Sequence, residues 1–211
     1  TTTFTSKDIP LPKIQGVHLS AEIIDLNARF NINNLKKNGH QSSAKTTLYR
    51  LNKNLLEDST GLDAYRVTQA LTKWINNKSN TSPMVSLSEM HLVKGITPKT
   101  YQALEPYLTA LPPHTSININ TAPDTLLNAM AQGADTKQTM QELIKARGEK
   151  GLSSPQNARH ILKKLSIPID DVCTDSEYFL SVGYAQSATQ NLTVYSLLRR
   201  TKEKNGGFSV Q

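Results

Sequence analysis

The sequence predicts an α+β fold in which a β-domain is interrupted by a large all-helical insertion. Apolar residues alternate along residues 17–23 and again along residues 178–198, and a period of two is typical of half-buried strands. Between these regions, over residues 44–165, the apolar residues recur at helical spacing instead. Strands at both ends of the chain, with helices between them, imply that the first and last segments meet in one antiparallel sheet.

The change of period sets the expected domain boundaries. Residues 1–42 and 167–211 are assigned to the β-domain, and residues 43–166 to the inserted α-helical domain. A chain of 211 residues is long enough to bury a substantial core in one large domain or two small ones. The hydrophobic content of 37% and the mixed charge pattern are those of an ordinary folded protein, which excludes an intrinsically disordered chain.

Strands are predicted at each end of the chain. In the first strand, the adjacent apolar residues Ile23 and Ile24 indicate a bulge or a change of register before Leu26 and Phe30. Near the other end, the polar residues 186–191 separate two alternating segments and predict the loop of a hairpin.

The helices of the insertion are predicted from start signals and apolar stripes. Thr97-Pro98, Thr121-Ala-Pro123 and Ser154-Pro155 each combine a hydroxyl cap with a proline in the first turn. In the second of these signals Thr121 is the expected cap, and Asp124 can face the free amides of the first turn. The apolar faces expected to point inward are formed by Leu48, Leu51 and Leu55; by Leu62, Val67, Ala70, Leu71, Trp74 and Ile75; by Leu126, Leu127 and Met130; by Met140, Leu143 and Ile144; and by Ala158, Ile161, Leu162 and Leu165.

The chain is basic, with 24 Lys and Arg against 17 Asp and Glu, a formal net charge of +7 and a pI of about 9.4. A basic surface can serve nucleic acid, an anionic membrane or acidic proteins. The basic residues are scattered, with small clusters at residues 36–37, 163–164 and 199–204, and no run of them forms a groove or an arm. The charge by itself therefore specifies no partner and does not favour nucleic acid.

The sequence contains none of the common enzyme motifs. The five histidines lack His-Glu-x-x-His spacing, and there is no Gly-x-Ser-x-Gly elbow, Walker loop or dinucleotide fingerprint. The single cysteine, Cys173, can form neither an intrachain disulfide nor a thiol metal site. Its acidic neighbours Asp170, Asp171 and Asp175 tend to raise a thiol pKa, which predicts an inert side chain. We therefore predict that the chain is not an enzyme.

Residues 92–104 resemble a helix-hairpin-helix element, in which a turn between two helices can present backbone amides to a phosphate of DNA. Gly95 occupies the first of the two positions where a small residue lets the backbone approach closely, but Thr97 occupies the second. Glu89 and Glu105 flank the element with the wrong charge for a phosphate site. We therefore interpret this element as a structural hairpin.

Three features of the sequence could bind a nucleic acid or a partner protein. A nucleic-acid-binding module is the alternative function, and it predicts DNA affinity with a steep salt dependence and a basic face over Lys94 and Lys99. The two Asn-Ile-Asn segments, residues 31–33 and 118–120, could be recognition loops, but asparagine is well suited to satisfying loop backbone and capping helices. Trp74 could anchor a partner, yet its place in an apolar stripe favours core packing.

Three segments resemble a known family: residues 25–35 (DLNARFNINNL), residues 87–96 (LSEMHLVKGI) and residues 116–130 (SININTAPDTLLNAM). Together they resemble the K-type minor pseudopilins of bacterial type II secretion systems, and the resemblance extends over residues 21–200. It implies the α+β fold, with a pseudopilin-type antiparallel β-domain interrupted by a helical domain of helix-hairpin-helix or SAM-like repeats. It also implies a protein that does no chemistry.

The resemblance implies a mechanical function. Such a protein packs with the I-type and J-type minor pseudopilins, with the H-type near the base, and forms the tip of the pseudopilus. There it helps to initiate and cap assembly for the export of folded proteins across the outer membrane. Secreted substrates and the outer-membrane secretin are further expected contacts.

The same resemblance places the protein at the periplasmic face of the bacterial inner membrane, where an N-terminal helix anchors the family. Residues 1–8 do not resemble that helix, and no apolar stretch approaches the roughly 20 residues needed to span a bilayer. We therefore expect the anchor helix to be absent from this chain, and membrane contact to depend on it alone.

Some members of the family bind calcium, which requires several oxygen ligands around a flexible loop. The candidate ligands in this chain are Asp170, Asp171, Asp175 and Glu177. Relatives commonly carry an Asp-Trp-Ile-Asp pattern at the end of one helix, where this chain has Lys73-Trp-Ile-Asn76. Because an asparagine carbonyl brings no charge to a metal, a solvated acidic loop is the alternative interpretation of the four acids.

Overall fold

The computed structural model describes residues 3–5, 11–36, 41–56, 62–77, 82–132, 136–202 and 208–210. The strands are β1 (Thr3–Thr5), β2 (Val17–Asp25), β3 (Phe30–Asn31), β4 (Leu108–Thr109), β5 (Ile117–Asn118), β6 (Val172–Cys173), β7 (Tyr178–Ser187), β8 (Asn191–Lys202) and β9 (Phe208–Val210). The α-helices are α1 (Gln41–Leu55), α2 (Leu62–Ile75), α3 (Pro98–Leu104), α4 (Asp124–Met130), α5 (Thr136–Arg147) and α6 (Arg159–Lys164). No described helix is both long enough and apolar enough to cross a membrane. Most of residues 1–8, which do not resemble the anchor helix of the family, lie outside the described residues, as do the basic residues Lys37 and Lys204.

The two ends of the chain meet in one antiparallel sheet, as predicted, with the strand order β1-β2-β7-β8-β9. The register of β2 with β7 runs without interruption from Val17 to Asp25. The bulge predicted at Ile23 and Ile24 is therefore wrong. Ile23 pairs with Ser181 and Ile24 with Leu180, and successive residues of a strand point to opposite faces. Both faces of this strand accept apolar side chains, so two adjacent isoleucines require no shift of register.

The hairpin predicted near the C-terminal end is confirmed. Strands β7 and β8 pair from Tyr178 with Arg199 to Gln186 with Asn191. The loop is shorter than the predicted residues 186–191, because the strands continue into the polar segment, and the Ser187 N–H donates to the Gln190 carbonyl at 2.8 Å. The alternation of apolar residues thus predicts the two strands correctly, while the polar composition of residues 186–191 predicts a loop that is too long.

The helices share a single buried core with α1 packed against both α2 and α4. The predicted inward faces of α1, α2, α4, α5 and α6 contribute to it, with one exception: Leu62 at the start of α2 is 56% exposed, so its predicted inward position is wrong. Segments on either side of the helices contribute as well, through Phe30, Ile32, Leu35, Ile167 and Val172. Short 3-10 helices and the two-residue parallel pairs β3–β4 and β5–β6 connect the α-helices and were not predicted.

The helix starts show which capping predictions hold. Thr97 caps α3 by accepting the Thr100 N–H at 3.1 Å, and Ser154 caps a 3-10 turn, Pro155–Ala158, that precedes α6. Thr121 does not cap α4, which begins at Asp124 after Pro123 with no side-chain cap. That prediction is wrong because the Thr121 hydroxyl donates to a buried carboxylate from the sheet instead.

The sheet and the helices join at one end of the sheet. The chain leaves the sheet after Asp25 and returns at Tyr178, and Asp25 is paired with Phe179 in the register of β2 and β7. A small buried cluster seals this junction, formed by Leu26, Leu111 and Tyr178 with Leu180 packed against it. The helical part is therefore inserted between two strand ends that are direct neighbours.

Candidate functional site

The four acidic residues predicted as calcium ligands are divided between two clefts. Asp170 and Asp171 line one cleft, and Asp175 and Glu177 line another. The Asp171 carboxylate accepts a hydrogen bond from Ser43 Oγ at 3.3 Å. Within the described residues, no group of three or more His, Cys, Asp or Glu is placed to hold a metal ion. Calcium binding therefore stays a prediction that rests on the resemblance alone.

Asn76, which stands at the end of α2 where relatives commonly carry aspartate, has a structural role in this chain. The Asn76 Nδ2 group donates to the backbone carbonyls of Leu35 and Thr72, both at 2.8 Å. This amide ties the end of α2 to the segment that precedes α1, which is a structural role. The neighbouring Trp74 is half-buried and packs against the helical core, so its predicted core position is confirmed.

Cys173 occupies a position that suppresses thiol chemistry. Burial raises the pKa of the Cys173 thiol to about 12, and the negative charges of Asp25, Asp175 and Glu177 act in the same direction. The predicted rise in pKa is confirmed, but its causes differ from those predicted. Burial is the largest cause, and Asp25 at the end of β2 and Glu177 act in place of the predicted Asp170 and Asp171.

A buried carboxylate lies where the sheet meets the helical part. Asp25 is 4% exposed and accepts hydrogen bonds from Thr121 Oγ1 and Ser176 Oγ at 2.6 Å each, and from the Asn27 N–H at 2.8 Å. The Asn118 Nδ2 group extends the network by donating to Ser176 Oγ at 2.8 Å. The bonds join the end of β2 to the loop before α4 and the loop before β7. Asp25 could not be identified from the sequence, because its hydroxyl partners lie 96 and 151 positions away along the chain.

Asparagine side chains act as substitutes for backbone groups near this junction. Asn33 accepts the Met84 N–H at 2.9 Å and donates to the carbonyls of Met84 and Leu111 at 2.8 Å each. Asn120 accepts the Leu152 N–H at 2.8 Å and donates to the Leu152 carbonyl at 2.9 Å. Each amide thereby offers the donor and acceptor of a peptide group to a loop. The structural interpretation of the two Asn-Ile-Asn segments is confirmed.

The predicted helix-hairpin-helix element consists of a 3-10 helix (Leu87–Leu92), a turn and α3. Gly95 in the turn has φ of 97°, a conformation that favours glycine. The Thr97 side chain accepts a backbone N–H from the first turn of α3, so one of the amides that a phosphate would use is already satisfied. Lys94 and Lys99, which the nucleic-acid alternative singles out, are exposed and line the same cleft.

One face of the sheet is predominantly apolar. Paired residues in an antiparallel ladder point to the same face, so the registers of β2, β7 and β8 define each face. We call one of them the apolar sheet face; its apolar residues are Val17, Leu19, Ala21, Ile23, Phe179, Ala185, Leu192, Val194 and Leu198. Ser181, Ser187 and Ser196 lie among them, and Asp25 lies at the end of the face. Leu192 is 61% exposed and Val194 is 50% exposed. None of these side chains belongs to the buried clusters that the described residues form.

The opposite face of the sheet is mixed in character. Tyr184, Tyr195 and Leu197 are exposed on it, and the Tyr184 hydroxyl donates to Glu22 Oε1 at 3.0 Å, a bond that raises the pKa of Tyr184. Strand β8 therefore presents large apolar side chains on both faces. This surface was not predicted, although adjacent apolar residues such as Leu197 and Leu198 indicate a strand with two apolar faces. Contiguous exposed apolar surface of this kind marks an interaction site.

Comparisons with known proteins agree on one family. Two family models match the chain, over residues 28–113 and 117–164, and both describe protein K of the type II secretion system. The type II secretion system protein K of Klebsiella pneumoniae is 30% identical over 162 residues, which is 64% of this chain and 50% of that protein. The chain thus spans half the length of this curated relative.

A solved structure has the same fold. A chain in the crystal structure of the GspK-GspI-GspJ complex from the type 2 secretion system of enterotoxigenic Escherichia coli superimposes with a TM-score of 0.68. The match covers 96% of this chain and 80% of that chain at 22% sequence identity. The likeness confirms the predicted α+β fold, with antiparallel strands from both ends of the chain and helices between them.

Proposed function

The chain belongs to the protein K family of type II secretion systems, and from this premise we propose that it is a minor pseudopilin at the tip of the pseudopilus. Its function is assembly, without catalysis, at the periplasmic face of the inner membrane. It packs with the I-type and J-type minor pseudopilins, and the H-type lies near the base of this group. It thereby helps to start and cap a filament that exports folded proteins, with secreted substrates and the outer-membrane secretin as further contacts.

The apolar sheet face is the observation that carries this proposal. Leu192 and Val194 expose half or more of their surface there, and removing apolar surface from water is the main driving force for stable protein association. The face is broad, since it extends across β2, β7 and β8. It is also poor in charge, which is typical of the centre of an interface. We infer that partner pseudopilins cover this face.

The helical insertion supplies the capping element in this proposal. We propose that residues 43–166 form a separate domain and that residues 1–42 and 167–211 form the β-domain that contacts the partners. The bulk of the insertion then sits above the β-domain and hinders the addition of another subunit. Because Asp25 is paired with Phe179, a short turn that joins β2 to β7 can replace the insertion together with the segments that flank it, residues 26–42 and 167–177.

This deletion separates assembly from capping. We expect the shortened protein to bind the I-type and J-type subunits as well as the intact chain does, and to change the length of the pseudopilus. Pseudopili of unchanged length would contradict the capping role, even if the complex still forms.

The direct test of the proposal is a sedimentation experiment with the purified soluble domains of the I-type and J-type pseudopilins. The intact chain is expected to form a ternary complex, and the double variant L192E/V194E is expected to lose it. Val85→Glu is the matched control, because Val85 is 82% exposed but belongs to no strand of the sheet. If the chain fails to bind both alone and with an anchor helix fused to it, the proposed function is wrong.

A further inference from the structure

A groove runs between α2 and the hairpin that leads into α3. One part of it is a cleft of about 700 Å³ lined by residues that include Val67, Ala70 and Lys94. A second cleft of about 490 Å³ is lined by residues that include Ala70, Trp74 and Lys94. The two clefts share Ala70 and Lys94 and are therefore adjacent, and we call them together the α2 groove. It lies on the helical part and is separate from the apolar sheet face.

The floor of the α2 groove is apolar. Val67, Ala70 and Trp74 follow one another on α2 at spacings of three and four residues, so they lie along one face of the helix. Val93 and Leu92 form the wall from the hairpin side, and Leu92 is 67% exposed. The stripe from Val67 to Trp74 is about 10 Å long at the rise of an α-helix. It can therefore receive two turns of a helix from another protein.

The rim of the groove is positively charged. Arg66, Lys73, Lys94 and Lys99 line it and are all exposed. Asp63 is the one acidic side chain among the described residues that line the two clefts, and it forms an ion pair with Arg66 at 3.5 Å. Four cations face one carboxylate, so the field at the rim attracts acidic groups.

We propose that the α2 groove binds an acidic amphipathic helix of another protein. Apolar side chains on one face of such a helix would contact Ala70, Trp74 and Leu92, with Val67 buried beneath them at 5% exposure, while aspartate or glutamate residues on its flanks would face the lysines of the rim. Docking of an amphipathic helix into a hydrophobic groove is a recurrent mode of peptide recognition. The proposal does not depend on the position of the protein in the pseudopilus.

The groove fits a peptide better than a nucleic acid. A phosphate backbone would use the cations of the rim but would leave the apolar floor without a partner. The hairpin offers little to a phosphate, because the Thr97 hydroxyl already accepts an amide hydrogen at the start of α3. Binding of DNA is therefore the competing outcome of the test.

The test uses a fluorescein-labelled synthetic helix of about 18 residues, or five turns, with leucine on one face and glutamate elsewhere. Fluorescence anisotropy with the 211-residue chain is expected to show binding at least about tenfold tighter than to a peptide of the same composition with its leucines dispersed around the helix. The variants K94E/K99E and Leu92→Ser are each expected to weaken binding about tenfold. Leu92 is exposed, so its replacement leaves the core intact.

Matched controls use exposed residues outside the groove. K150E/K163E repeats the charge reversal, and Val85→Ser repeats the loss of an exposed apolar side chain; both are expected to leave peptide affinity unchanged. Equal weakening by the controls, or no preference for the amphipathic peptide, overturns the proposal. Tighter binding of a DNA duplex that is insensitive to Leu92→Ser would assign the groove to nucleic acid instead.

Discussion

Replacement of Asp25 by alanine is expected to lower the free energy of unfolding by about 4 kcal/mol. The carboxylate accepts hydrogen bonds from Thr121 Oγ1, Ser176 Oγ and the Asn27 N–H, at 2.6, 2.6 and 2.8 Å. A hydrogen bond to a charged group contributes about 1.5–3 kcal/mol, and a buried donor left without a partner loses its solvation as well. The three bonds share one carboxylate and are not additive, so we expect about 4 kcal/mol and not the full sum.

Two milder variants of the Asp25 network are expected to lower the free energy of unfolding by smaller amounts. In Asp25→Asn one oxygen still accepts the Asn27 N–H, and a hydroxyl of Thr121 or Ser176 can turn to accept from the new amide, so the expected loss is about 2 kcal/mol. Thr121→Val removes a single donor and leaves the carboxylate in place, so about 1–2 kcal/mol is expected. These variants keep the test measurable if Asp25→Ala approaches the whole stability of the chain, which is about 5–15 kcal/mol for a typical domain.

Urea denaturation followed by far-UV circular dichroism measures the loss, provided that the m-value is unchanged. Asp175→Ala is the matched control, because Asp175 is an exposed carboxylate in the same region of the chain and its loss is expected to change stability by less than about 0.5 kcal/mol. If Asp25→Ala costs no more than Asp175→Ala, the network does not stabilise the junction and the reasoning is wrong.

Three further predictions concern the thiol, a glycine and calcium. Because the pKa of Cys173 is raised to about 12, iodoacetamide at pH 8 should label Cys173 slowly in the folded chain and rapidly in urea; equal rates would contradict the burial of the thiol. Gly151→Ala should destabilise the chain by about 1–2 kcal/mol more than Gly95→Ala in urea, since both glycines have positive φ but only at Gly151 would a Cβ lie 3.0 Å from Asn120. Calcium at about 5 mM should raise the melting temperature if the four candidate ligands bind it, because a ligand held only by the folded chain stabilises that chain; an unchanged melting temperature would contradict the calcium prediction.

The strands and helices that could be predicted are those with a local signal. Alternation over β2, β7 and β8 and the stripes of α1 and α2 each repeat several times within one element. The pairs β3–β4 and β5–β6 have two residues in each strand, which is too short for any period to appear. The 3-10 helix Leu87–Leu92 carries a helical pattern but has different hydrogen bonding, which composition does not encode.

The wrong predictions concern residues whose contacts are set by side chains that are distant in the sequence. Thr121 has every local feature of a cap, yet its hydroxyl is taken by Asp25, which is remote in sequence. Ile23 and Ile24 suggest a bulge only if one face of the strand is polar, and here both faces carry apolar side chains. The apolar sheet face could have been predicted from such adjacent apolar residues. The α2 groove could not, because its two walls come from elements whose packing no local pattern specifies.

The pairing of Asp25 with Phe179 makes the folded helical part equivalent to a tight turn between β2 and β7. While the helices are folded, the two strand ends are held at pairing distance, so the strands associate as if they were adjacent in the chain. If the helices melted, the same strands would have to close a flexible loop from Leu26 to Glu177, at an entropic cost of about 4 kcal/mol or more. Thermal melting of the helices should therefore loosen a sheet to which they contribute no strand, and the two parts should unfold in a single transition.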